Sequence, residues 1–126
     1  MMENPENRKR TYLDDQQLCR SWIKTLEGLR KENGLLLNRL AEALRDVDDP
    51  AFLVQAEEFQ TRMLEKEEAL VLLRHEVLEQ LDFLDILPQP LPESPHQYTV
   101  LDSDVQKMVL DFNQMKDAFA RFIMAW

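Results

Sequence analysis

Two histidines, one cysteine and twenty-four carboxylates are the side chains here whose chemistry could reach beyond packing. His75 and Glu79 stand four residues apart, a spacing that puts both on one face of a helix and would let them share a metal ion. A di-iron bundle needs Glu-x-x-His on two helices, but the residue three before His75 is Leu72, so that motif is absent. On the helical register both side chains face away from the Leu70–Val77 seam, and a surface histidine beside acids is the expectation. His96 lies in a proline-rich stretch with no ligand partner nearby in sequence. The acidic pairs Asp14-Asp15 and Glu67-Glu68 have the chemistry for acid–base work. Carboxylates on exposed helix faces lack the desolvation such work depends on.

Cys19 cannot form an intramolecular disulfide, which points to a reducing compartment. It falls in an apolar helix seam and reads as a small buried hydrophobe. Gly28 and Gly34 make no dinucleotide fingerprint, and no phosphate loop, nucleophile motif or Cys-x-x-Cys is present. The sequence therefore assigns no catalytic, cofactor-binding or metal residue, and the chain is read as a non-enzyme.

The patterning belongs instead to helices. Cys19, Trp22, Leu26, Leu29, Asn33, Leu36, Leu40, Ala43 and Val47 recur at spacings of three, four and seven, as do Val105, Met108, Phe112, Met115, Phe119, Phe122 and Trp126. Leu18, Ile23, Leu37 and Leu44 widen the first stripe, as for a helix touching two neighbours. Residues 1–13 read as a flexible polar tail, and Asp14 or Asp15 can cap a first helix running to Val47. Asn33-Gly34 is a turn signal, but the seam keeps its phase across it, so one helix, kinked or locally weak, is expected. Asn33 takes a seam position, where a polar residue can specify register or oligomeric state; a partly exposed Asn at a helix defect is the other reading.

Asp48-Asp49-Pro50 marks a cap followed by proline at the first helical position, hence a tight turn into an antiparallel second helix over 50–87. That helix carries a main seam through Phe52, Ala56, Phe59, Met63, Lys66, Leu70, Leu73, Val77, Gln80, Leu84 and Leu87. Leu53, Leu64, Val71, Leu78 and Leu81 flank the seam, so more than one face is offered to partners. Residues 88–101 read as a semi-stiff proline-rich linker, its Pro92–Pro95 spacing too common to mark a peptide ligand. Ser103 and Gln106 fit a capping box opening a third helix over 102–126.

The fold expected is an all-α three-helix bundle, built on a long antiparallel αα-hairpin (14–87) plus a shorter C-terminal helix, in one domain. At 1.5 Å per residue the hairpin helices span ~50–55 Å and the third ~36 Å. Apolar surface should therefore remain uncovered, at one end or along the second face of helix two. Leu26, Leu29, Asn33, Leu36 and Leu40 are assigned to the hairpin seam. Met108, Phe112, Met115, Phe119, Phe122 and Trp126 are assigned to an interface, against the hairpin or a second subunit.

The net charge of −9 argues against nucleic acid and anionic membranes as partners, since binding them calls for a basic face. The one basic cluster, Arg8-Lys9-Arg10, lies in the tail. Residues 48–87 hold eleven acids and three bases, nearly the whole excess charge. That is a solvated outer face or a docking surface for a basic protein. Met1–Arg10 lacks the apolar core of a signal peptide, and no apolar run reaches the ~20 residues needed to span a bilayer. The expectation is a cytoplasmic, non-enzymatic interaction or assembly protein that self-associates. The alternative is a small acidic chaperone, antitoxin or immunity-like protein that masks a basic or apolar target.

Overall fold

The computed structural model of the chain describes residues 12–85 and 94–126. Three helices account for most of them: α1 (Tyr12–Asp46), α2 (Pro50–Asp85) and α3 (Tyr98–Met124). The fold is all-α, an antiparallel hairpin with a third helix laid along it. Of the tail expected over 1–13, residues 12 and 13 already belong to α1, so Asp14 and Asp15 lie in its first turn and not at its cap; residues 1–11, the end proposed for helix two at Leu87, and residues 88–93 of the proline stretch lie outside the described residues.

Helix α1 runs unbroken through Asn33-Gly34. A Cβ added at Gly28 or Gly34 would meet nothing within 4 Å, so neither glycine is demanded by packing. The continuous apolar seam outweighs the local weakness they introduce. The α1–α2 turn is built by its sequence: Asp49 Oδ1 accepts from the N–H groups of Ala51 (2.8 Å) and Phe52 (3.3 Å), with Pro50 at the first helical position.

Cross-pairs descend the hairpin in antiparallel order. Asn33 Nδ2 donates to the Met63 carbonyl at 2.8 Å, Arg30 pairs with Glu67 at 2.6 Å, Arg74 with Glu27 at 2.8 Å, and Gln16 with Asp85 at 2.8 Å. Helix α3 runs parallel to α1 and antiparallel to α2. Its first residue, Tyr98, meets Gln80 and Trp22, and Phe122 near its end stacks on Phe52. Lys116 ties its middle to Glu32 of α1 at 2.8 Å.

The third helix begins at Tyr98, four residues before the expected start at 102. Ser103 and Gln106 are exposed inside it and cap nothing, while Gln97 occupies the N-cap without a side-chain bond. Tertiary contact recruits the extra turn: Leu101 is buried, and the Tyr98 hydroxyl accepts a 2.8 Å bond from Gln80. Residues 98–101 therefore belong to the helix, not to the linker.

One core joins all three helices. Toward the hairpin turn it is aromatic, with Phe59 stacked on Phe122 (5.1 Å between ring centres) and edge-on to Phe119 (5.4 Å). Such geometries suit the quadrupoles of the rings and add to what their burial contributes.

Candidate interaction surface

The side chains assigned to the hairpin seam lie along the inner side of α1. Leu26, Leu29, Asn33 and Leu40 are buried and Leu36 is half-buried. Asn33 is completely enclosed rather than sitting at an exposed defect. Its Nδ2 is satisfied by Met63, while its Oδ1 is buried with no hydrogen-bond partner among the described residues. Its burial removes the reading of a partly exposed Asn at a helix defect.

The residues assigned to an interface divide. Phe112, Met115, Phe119 and Phe122 are buried inside this chain and anchor α3 to the hairpin. They offer no free area to a second subunit in this arrangement. Met108 is half-buried beside the cleft between α2 and α3. Trp126 is 48% exposed, one edge against Phe52 at 5.4 Å, with exposed Met124 two residues before it. Of the six, it alone presents a large open apolar surface.

Large apolar side chains stay exposed on all three helices, among them Leu35 on α1, Leu110 on α3 and a set on α2. With 27 residues, α3 is about 40 Å long. It covers α2 from Gln80 to Phe52 along one side only. The other side keeps Leu64 (50% exposed) and Val71 (43%) with half-buried Leu78 in line; Leu72 (60%) lies between this side and the cleft to α3, and half-buried Leu53 packs against the core. Leu64, Val71 and Leu78 are seven apart and share one stripe of the helix. Val71 and Leu72 floor a shallow hollow completed by Glu67, Glu68 and His75.

Acids frame this stripe. Glu67 and Arg74 are consumed in pairs to α1. Glu57, Glu58, Glu65 and Glu68 are exposed and make no ion pair among the described residues. Arg62 lies over the Phe59 ring at 5.3 Å and lines hollows with Glu57, Glu58 and Glu65, so it offsets part of their charge. The surface thus combines an apolar line with an unbalanced negative rim.

A polar cluster sits nearer the open end of the hairpin. Glu79 takes His75 on one oxygen (2.8 Å) and His96 on the other (3.3 Å). His96 therefore has a partner that sequence order hid, because a proline-rich segment separates the two. Beside it, buried Gln80 accepts from the Ser94 hydroxyl (2.8 Å) and the His96 N–H (3.1 Å) and donates to Tyr98. Gln80, a polar residue in the main seam of α2, is the point where the lead-in to α3 is fastened. A polar residue at a core-type position was the only signal available, and it did not name these partners.

Among the described residues no group of three or more His, Cys, Asp or Glu side chains has the arrangement to hold a metal ion, and no helix is long and apolar enough to cross a membrane. Cys19 is fully buried. No family model, curated protein or solved structure matches this chain.

Proposed function

We propose that this is a non-enzymatic helical interaction protein that binds another protein through the uncovered side of α2. One observation carries the reading: Leu64, Val71 and Leu72 stay exposed on a helix whose opposite side is fully used in the bundle. Hiding such side chains from water drives association at roughly 25 cal/mol per Å² of apolar area, less the costs of ordering. The test is a photo-crosslinking residue placed at position 71, compared with one at exposed Asn113 on α3. Adducts with another protein at 71 and none at 113 are expected. Equal labelling at the two positions sinks the reading.

Self-association is the second reading, favoured by Trp126 and Met124. They form an apolar end on α3 beside the hairpin turn. Two copies meeting end to end there keep their acidic α2 faces apart, which a face-to-face pair would not. Cytoplasmic residence suits both readings, since the lone cysteine requires no oxidising environment.

A further inference from the structure

We infer that the stripe on α2 receives a basic amphipathic helix of a partner protein. This rests on the reading of α2 as the binding side and names the class of its occupant. Leu64 and Val71 stand about 10 Å apart along the helix, two turns, with half-buried Leu78 extending the line. A second helix with apolar residues on the same heptad repeat sets its ridge against that line. The hollow between Val71, Leu72 and His75 accepts one side chain of it.

Charge decides the rest of the partner's composition. Glu57, Glu58, Glu65 and Glu68 lie on the outer side of the line, are held in no ion pair among the described residues, and outnumber nearby Arg62 and Lys66. A second copy of this chain offering the same face would press like charges together as they lose water. An anionic membrane meets the same repulsion. Lysine or arginine flanking the partner's apolar stripe meets the carboxylates, and the aliphatic stems cover the edges of the leucines. From Glu57 to His75 the surface runs nineteen residues, so the occupant is a helix of about five turns.

The test titrates the full chain with three synthetic peptides of about twenty residues, followed by fluorescence anisotropy. The first places leucines on a heptad repeat with lysines alongside. The second replaces every lysine by glutamine. The third keeps the first composition in scrambled order. The first peptide should bind at least about tenfold tighter than either other, and more weakly as salt rises. Leu64→Ser with Val71→Ser should weaken it by at least about tenfold. So should Glu57→Gln with Glu65→Gln and Glu68→Gln, which keeps the apolar line intact. All these positions are exposed or nearly so, and circular dichroism of each variant should match the parent. Equal binding of the scrambled peptide, or indifference to both sets of substitutions, overturns the proposal. Equal binding of the glutamine peptide, lost on Val71→Ser, overturns the basic partner and leaves α2 as the docking side. If no peptide binds, both fall.

Discussion

At the scale of single residues, buried polarity is the main departure from an oily core. Asn33 contributes one good bond and one orphaned oxygen. A buried acceptor without a donor costs about 1–3 kcal/mol. Asn33→Leu, of similar size, should therefore raise the unfolding free energy by about 1–2 kcal/mol in a denaturant titration, with some loss of register specificity. A fall of that size would show that the bond to the Met63 carbonyl outweighs the orphan. Lys116 gives a different residue-scale prediction. Its hydrogen bond to Glu32, and then the charge of that carboxylate, raise the ammonium above its ordinary 10.5. A raised folded value means that the stabilisation is complete below about 10.5 and is lost as pH climbs through the folded value. Lys116→Met should lower the melting temperature slightly at neutral pH. That gap should close at strongly alkaline pH and shrink with salt, because both partners are well exposed. A gap that persists at high pH would assign the effect to packing of the lysine stem.

At the scale of elements, each helix shows a different balance between local preference and tertiary contact. In α1 the seam holds a helix across two glycines that nothing in the packing requires. Gly28→Ala and Gly34→Ala should each stabilise the fold by about 1 kcal/mol, additively, in thermal or urea unfolding. Destabilisation at Gly34 would mean that a kink there is used. In α3 the aromatic residues separate by burial. Phe119→Ala should cost about 3–5 kcal/mol, because the ring is enclosed between Phe59 and Phe122. Trp126→Ala should cost less than about 2 kcal/mol, since half of that ring already faces water and Phe52 meets its edge. Equal losses would contradict the placement of Trp126 at an open end.

At the scale of the whole molecule, surface left over after folding sets the behaviour. The open apolar end consists of two side chains, Met124 and Trp126, so end-to-end association should be weak. Light scattering should give a mass of 14.9 kDa in dilute solution, with a rise at high concentration that Trp126→Ala abolishes. A mass unchanged across the series removes self-association and leaves partner binding through α2 standing.

How much of this was legible beforehand follows from the range of the forces involved. Helix periodicity is local, so the three seams, the Asp49-Pro50 turn and the antiparallel hairpin could be read from residue spacing. Of the flanking set, Leu64 and Val71 stay exposed and Leu78 half-buried, while Leu53 and Leu81 pack against the core. Charge is also a sum over the chain, so the acidic bias of that helix needed no coordinates. Tertiary structure alone decided how α3 docks. Its direction depends on which rings interlock, Phe122 with Phe52 and Phe119 with Phe59. Its start depends on Gln80, eighteen residues from Tyr98 in sequence. The fate of its aromatic stripe, turned inward except at Trp126, depends on the packing of those rings on Phe52 and Phe59. Each of these is a contact between distant segments, whose worth depends on geometry that a linear pattern does not carry.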